Sequence, residues 1–394
     1  MILAIYSTRG IVLKFDLTPV QEEMRIKARE FAKKELQPIA NDIDKTCTFS
    51  DETVKKMGEH GFMGVFIPKE YGGAGLDVIS YAIAIEEISK VCASHGVTMS
   101  VNNSLACHPI NKYGTEEQKQ KFLKPLASGD KLGGFGLTEP GAGTDVSLLQ
   151  TTAVKKDGGY EVNGQKIFIT NGSKANTYVI FAQTNKELKH KGISAFILNT
   201  DTEGFSTGTV ESKLGIHGSI QCELNFDNMF LPEDQRLSVE GDGFKIAMST
   251  LDGGRIGISA QALGIAQSAL DQSIDYAKER VQFGKSISKF QAIQHMIADM
   301  ATEIEAARLL VYNAAFAKDT KPRYSYEAAM AKLYAAEVAM RTTTKAVQIH
   351  GAYGYTKRYP VERLMRDAKI TEIYEGTSEV QRMVISAQLD KLEL

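Results

Sequence analysis

Tryptophan is absent from the 394 residues, cysteine occurs four times and proline nine times. No indole N–H donor therefore exists anywhere in the chain. The cysteines, Cys47, Cys92, Cys107 and Cys222, are scattered and form no C-x-x-C pair, which gives no disulfide framework and favours a reducing compartment. No two of the seven histidines stand at i, i+4 spacing, which argues against zinc. Excess charge is missing too: 46 Lys and Arg face 48 Asp and Glu, a formal charge of −2. With no basic block either, nucleic acid is excluded as a partner. No apolar run reaches membrane length, and Met1 to Leu13 is interrupted by Ser7, Thr8, Arg9 and Gly10. That stretch lacks a basic start and a small-residue cleavage site, so residues 1–17 read as a loose leader. No strand-to-helix G-x-G-x-x-G is found, which excludes a Rossmann route to a nucleotide.

What remains is an ordinary composition, 43% hydrophobic and 24% charged, at a length that divides into two or three domains. Three sections follow one another, an α+β multidomain order. Residues 18–130 read as an N-terminal helical domain. Thr18-Pro19-Val20-Gln21 is a capping box with proline at the first helical position, and Thr115-Glu116-Glu117-Gln118 repeats the box. Val20, Met24, Ala28, Phe31 and Ile39 then recur at helical spacing. The Gly-rich run Tyr71 to Gly75 breaks the pattern before a second helical stretch through Ile83 and Ile88.

Residues 131–236 read as a central antiparallel β domain, a barrel or sandwich. Its strand candidates are Tyr160 to Val162, Lys166 to Thr170, Tyr178 to Gln183 and Ile193 to Leu198. Asn163-Gly164 predicts a hairpin turn, and Asp157-Gly158-Gly159 predicts another. Residues 237–394 read as a C-terminal helical bundle. Ile256, Leu263, Leu270 and Ile274 form one stripe; Ile293, Ile297, Met300, Ile304, Ala307 and Val311 form a second.

Two segments carry chemistry. In Ile373-Tyr374-Glu375-Gly376-Thr377-Ser378-Glu379 a carboxylate sits on an apolar, aromatic-flanked turn. Poor solvation there raises its pKa and makes it a useful base. Read alone, the run is a helix start with Thr377 or Ser378 as cap and Glu379 in the first turn. The second segment is Phe135-Gly136-Leu137-Thr138-Glu139-Pro140-Gly141-Ala142-Gly143-Thr144-Asp145. Its glycines and proline let backbone amides approach a ligand, and Thr138 and Thr144 add hydroxyl donors.

These segments, with Lys213 to Ile216, Gly243 to Met248, Asp252 to Gly257, Gln261 to Gln267, Arg280 to Gly284 and Arg366 to Ile370, resemble the acyl-CoA dehydrogenase family from about Leu17 to the C-terminus. Met99 to Ser104 is most similar to its short-chain, butyryl-type members. The resemblance implies a C-terminal four-helix bundle and FAD held between β domain and bundle. It also implies removal of two hydrogens from an acyl-CoA thioester, with the α proton taken by a glutamate and the β hydrogen passed to flavin N5. Some relatives carry the base beside the arginine of the helix holding Asp252 to Ile256; Gly254 occupies that place, leaving Glu375 as the compatible base.

By matched position, Phe135 to Thr144 and Phe168, Ile169 and Thr170 should wall the flavin ring and ribityl chain. Thr144 should touch the CoA arm as well. Asp252, Gly253, Gly254 and Arg255 should line the acyl-CoA channel, and Tyr374 and Gly376 should also bind substrate. Read alone, Asp252 and Arg255 are a surface ion pair at i, i+3. Arg280 and Gln291 should reach FAD of a neighbouring subunit, and Gln348, Ile349, His350, Gly351 and Ala352 should cover its adenosine end. Thr377, Ser378 and Glu379 should face its phosphates. Phe168 stands where many relatives have tryptophan; His350 and Ala352 also depart from the commoner choices.

The resemblance implies a short-chain acyl-CoA substrate, electron-transfer flavoprotein as the electron acceptor, and a homotetramer built as a dimer of dimers. It places the protein in a bacterial cytoplasm or, in a eukaryote, the mitochondrial matrix. An alternative keeps the fold but runs it as an enoyl-CoA or arylacryloyl-CoA reductase. A non-catalytic scaffold would lack the base or the flavin loop, and both are intact.

Overall fold

A computed structural model describes residues 16–389; positions 1–15 of the expected leader lie outside the described residues. Helices come first: α1 (Pro19–Phe31), α2 (Ala40–Thr46), α3 (Asp51–Glu59), α4 (Val78–Val91), α5 (Ala93–Ser100), α6 (His108–Tyr113), α7 (Glu116–Gln118) and α8 (Lys124–Ser128). Wide π-helical turns extend α1 over Ala32–Leu36, α5 over Val101–Cys107 and α7 over Lys119–Leu123. Both capping boxes form, at Thr18/Gln21 and Thr115/Gln118. Met24, Ala28 and Phe31 are buried as their spacing predicts, but Val20 is exposed. Gln21 takes the interior in its place, its amide donating to Asp77 at the start of α4 (2.7 Å). Ile39 departs from the stripe because the backbone breaks there, ahead of α2.

The strands are β1 (Gly133–Gly136), β2 (Thr152–Lys156), β3 (Gly159–Thr170), β4 (Thr177–Gln183), β5 (Ile193–Asn199), β6 (Phe205–Val210), β7 (Gln221–Pro232) and β8 (Arg236–Leu237). They make one sheet in the order β6-β7-β3-β2-β4-β5-β8, with β1 on β4. Most pairs are antiparallel, but β1 and β2 both pair parallel with β4, so the sheet is not purely antiparallel. The Asp157-Gly158 turn joins β2 to β3 as expected. Asn163-Gly164 does not turn the chain. It lies inside the twelve-residue β3, where the register to β7 slips between Val162 and Gly164. The extra residue is on β7, which advances three residues against two of β3; there Asn228 is left-handed (φ 48°) and donates its N–H to Asn163 Oδ1 (2.7 Å).

β4 is buried throughout, which its alternation explains. Val179 and Phe181 face the helical core, while Tyr178, Ile180 and Ala182 face a second core with Tyr160, Phe196 and Leu224. A small ribbon of β9 (Val281–Gln282) and β10 (Lys285–Ser286) interrupts the C-terminal helices. These are α9 (Gly243–Glu279), α10 (Gln291–Thr320), α11 (Ser325–His350), α12 (Val361–Lys369) and α13 (Ser378–Leu389). The long helices α9, α10 and α11 pack on one another, and α4 packs on α9 and α10. Buried Glu86 ties α4 to α10 through Arg308 (3.1 Å) and Tyr312 (3.0 Å). Ile256, Leu263 and Leu270 are buried as the first stripe predicts; Ile274 packs half-buried beside them. In the second stripe Met300, Ile304, Ala307 and Val311 are buried, and Ile293 and Ile297 are half-buried.

Candidate active site

After α12 a short helical turn, Ile370–Glu372, ends the run, and the backbone reverses through two left-handed residues, Glu375 (φ 53°) and Gly376 (φ 91°). Glycine adopts this region freely; a glutamate there is strained, and strain of this kind gathers at functional sites. Thr377 then receives the Val380 N–H (3.4 Å) at the start of α13. Gln381 Nε2 donates to the Glu375 carbonyl (3.2 Å) and to the Gly376 carbonyl (2.8 Å). Lys332 Nζ, from α11, donates to the Gly376 carbonyl as well (2.8 Å).

The Glu375 side chain lies over Gly254 of α9. A Cβ at position 254 would collide with Glu375 Oε2 and come within 2.9 Å of Leu105. Only glycine leaves room for the carboxylate. Its Oε2 is shut off from solvent and has no hydrogen-bond partner. Burial pushes the Glu375 carboxyl up to about 8, against the pull of Arg255 and Lys332. Arg255 pairs with Asp252 at 2.6 Å, and this pair is not on the surface: Arg255 is only 6% exposed and its Nε is unpartnered. Burial raises Asp252 too, although Arg255 and Ser325 oppose it. Tyr374, on the same turn, bonds Gln261 of α9.

The second half of the site hangs on the Val101–Cys107 turn that also carries Leu105. Asn102 accepts the Gly133 N–H at the head of β1 (2.8 Å) and donates to the Met63 and Leu126 carbonyls, so the start of β1 is pinned against this turn. In the loop after β1, the side chains divide. Phe135, Leu137, Glu139 and Ala142 are buried, and Gly136 packs under Ile180. Thr138 is half-exposed, whereas Pro140, Gly141, Gly143 and Thr144 are exposed, with open space above Gly141 and Gly143. Thr144 also lines a 360 Å³ cleft with Val146, His190, Phe244 and Met248, which leads toward the start of α9.

Glu139 faces inward. Its carboxylate accepts from Lys166 (2.7 Å) and from the Gln150 and Thr151 amides (2.5 and 3.0 Å). Burial alone would raise Glu139, but Lys166 and the amides outweigh it and hold the carboxyl below its ordinary range. Phe168 is the opposite case: left-handed (φ 58°) and 55% exposed, on a strand whose register slips between Lys166 and Ile169. An exposed aromatic ring in strained backbone offers a flat apolar platform. Ile169 is buried in the sheet core, and Thr170 bonds Gln221.

The remaining expected residues gather elsewhere. Arg280 caps the far end of α9 and stacks on Tyr353 (5.6 Å), while exposed Gln291 opens α10. Gln348, Gly351 and Ala352 are exposed at the end of α11, but Ile349 and His350 turn inward, His350 stacking on Tyr276 at 4.2 Å. Arg280 lies 26 residues beyond Gly254 on the α9 axis, about 39 Å at the helical rise. One copy of the chain therefore holds two separated clusters.

Family models match the chain in three consecutive parts: the acyl-CoA dehydrogenase N-terminal domain at 18–130, its middle domain at 134–229 and its C-terminal domain at 241–389. The chain belongs to the acyl-CoA dehydrogenase family. A short-chain-specific acyl-CoA dehydrogenase of Clostridium acetobutylicum is 58% identical over 96% of this chain and all of that protein. The structure of butyryl-CoA dehydrogenase from Megasphaera elsdenii superposes with a TM-score of 0.95 at 50% identity, covering 96% of this chain and 100% of that one. A structure described under electron transferring flavoprotein of Acidaminococcus fermentans has the same TM-score at 56% identity, over 96% of this chain and 99% of that one.

Within this family member, three residues beside the site escaped the sequence reading: Lys332, Gln381 and Lys166. A signal existed for the first. Lys332 stands in phase with buried Ala328, Ala335 and Ala339, a charge on the apolar face of its helix.

Proposed function

We propose that Glu375 is the base of an FAD-dependent α,β-dehydrogenation of a short-chain acyl-CoA of the butyryl type. The enzyme is an acyl-CoA dehydrogenase, and electron-transfer flavoprotein is the partner that carries the electrons away. The single observation behind the base assignment is a dry, unpartnered carboxylate oxygen on a left-handed turn, in the space glycine leaves at position 254. The residues fit FAD: the exposed Phe168 ring offers a face for a flat ring, and the Gly141 and Gly143 backbone lies open. Ser378 adds a buried, unpartnered hydroxyl at the start of α13. When bound, FAD supplies the acceptor for the hydride that leaves the β carbon.

The chain's own part is proton chemistry. A thioester α C–H is too weak an acid for a solvated carboxylate, so Glu375 must be poorly solvated and the carbonyl oxygen must be stabilised as charge develops. The Glu375 N–H has no acceptor among the described residues and can serve that oxygen. Such a donor is worth ~3–4 kcal/mol in a dry site. Asp252, Gly253 and Arg255 of α9 are read as the lining of the acyl channel, supported by the buried Arg255–Asp252 pair, and Thr144 and the cleft toward Phe244 suit the CoA arm. Glu375→Gln should fold, stay yellow and bind acyl-CoA, yet bleach the flavin anaerobically at least ~1,000-fold more slowly. Flavin bleaching at the normal rate would remove Glu375 from the role. Because the base acts deprotonated, the wild-type rate should climb as pH rises through about 8.

The active assembly is read as a homotetramer, a dimer of dimers, in which Arg280, Gln291 and Gln348 to Ala352 of one copy meet the FAD of another. The domain division at 18–130, 131–236 and 237–394 belongs to the same reading. No helix among the described residues is long and apolar enough to cross a membrane. The bacterial and mitochondrial relatives support a cytoplasmic or matrix location.

A further inference from the structure

Two fully buried polar side chains converge on the backbone of the base turn, and the proton chemistry above does not use either. Lys332 and Gln381 are both 0% exposed. Their three hydrogen bonds go to two successive carbonyls, Glu375 and Gly376. Those are the carbonyls of the left-handed residues, φ 53° and 91°. A peptide plane has its C=O and N–H fixed relative to each other, so holding these carbonyls sets the pitch of the whole turn. A strained conformation persists only where its surroundings over-determine it. The Glu375 N–H sits one peptide away from the clamped carbonyls.

We propose that Lys332 and Gln381 are positioning residues that clamp the base turn, aiming the Glu375 N–H at the thioester oxygen while the Lys332 charge eases deprotonation of the carboxyl. The proposal rests on the reading of Glu375 as base. A buried lysine is a costly way to make one hydrogen bond, which methionine or leucine packing would avoid at no electrostatic penalty. Its charge gives it a second use. Burial pushes Lys332 down to about 8, with Glu375, Glu372 and Glu379 pulling it up and Arg255 pulling it down. Glu375 meets Arg255 from α9 and Lys332 from α11, and Tyr81 of α4 and Tyr374 of its own turn feel its charge. Asp252 is taken up by Arg255 and Ser325. Lys332 is thus the cation near the base that no carboxylate neutralises in a direct ion pair among the described residues.

The test uses the flavin-loaded enzyme and two ligands. Acetoacetyl-CoA carries the thioester oxygen and enolises; butyl-CoA, a thioether, has the same tail and CoA but no carbonyl. Lys332→Met and Gln381→Met should each weaken acetoacetyl-CoA by about ten- to a hundredfold while leaving butyl-CoA within about twofold of wild type. Lys332→Met should also move the acidic limb of the flavin-bleaching pH profile upward by about one unit, and Gln381→Met should leave it in place. Equal weakening of both ligands, or of neither, overturns the clamp. An unmoved limb in Lys332→Met overturns the electrostatic half. If Lys332→Met fails to fold, Gln381→Met carries the ligand comparison. The base reading fails separately, by wild-type bleaching in Glu375→Gln, which keeps the N–H and so leaves the two-ligand comparison intact.

Discussion

One missing side chain shapes the space that Glu375, the proposed base, occupies. At Gly254 the helix α9 backbone itself forms the floor beneath Glu375, and the first atom a larger residue would add falls on the carboxylate. What lies in the way is the end of a flexible side chain rather than backbone, so the fold can tolerate the change while the base cannot. Gly254→Ala should therefore retain its helix content and melt within a few degrees of wild type, helped slightly by the better helix propensity of alanine. The carboxylate must swing aside by an ångström or more, and a misplacement of that size costs about 100-fold in rate. Steady-state kinetics with butyryl-CoA, set beside a thermal melt, checks both halves. A variant that is unstable but normally active per folded molecule would mean that Glu375 has another resting place.

At the scale of elements, the loop after β1, proposed above to meet the flavin, is fastened by a buried ion pair. Glu139 was expected at the cofactor; its side chain points instead to Lys166 on β3 and to two amides, so the loop is fastened to the sheet from within. Lys166→Met leaves a buried carboxylate without its cation, a defect of about 3–5 kcal/mol in cases of this kind. The expected outcome is a lowered unfolding midpoint together with flavin loss, visible as free-flavin fluorescence in the flow-through of a desalting column. Tight flavin in a destabilised Lys166→Met would uncouple the pair from the loop. This contact also marks the boundary of what the sequence could say. Capping boxes and the Asp157-Gly158 turn are local patterns complete within a few residues, whereas the run around Glu375 shows locally only a carboxylate on an apolar turn ahead of a helix. Asn163-Gly164 is equally local, yet β7 pairs on both sides of it and holds it inside one strand, opposite a bulge in β7. Lys332 meets Gly376 across 44 residues, and Lys166 meets Glu139 across 27. No spacing rule reaches that far; only the family resemblance offered a long-range layout of the site, and it named residues expected to face ligand, not those that brace the turn and the loop.

Across the whole molecule the length of α9 sets the constraint. Its 37 residues span about 55 Å. Gly254, with Glu375 over it, lies about a third of the way along; Arg280, with Tyr353 stacked on it, lies at the C-terminal end, next to a ribbon whose tip residue Phe283 is 93% exposed in left-handed backbone. A rigid helix cannot bend these points together. If the second cluster serves FAD, it serves the FAD of another copy, and an exposed phenylalanine beside it is what a subunit contact would bury. Assembly and cofactor retention should then fail together. Arg280→Glu and Phe283→Ser are surface changes that leave each protomer's core untouched, so circular dichroism should be unaltered. Light scattering coupled to size exclusion should report a species smaller than four 43.2 kDa chains, and the ratio of flavin to protein absorbance in that peak should drop in step. Small species that stay fully yellow would sever the link between the far cluster and the cofactor, and a colourless tetramer would confine that cluster to ligand contact alone.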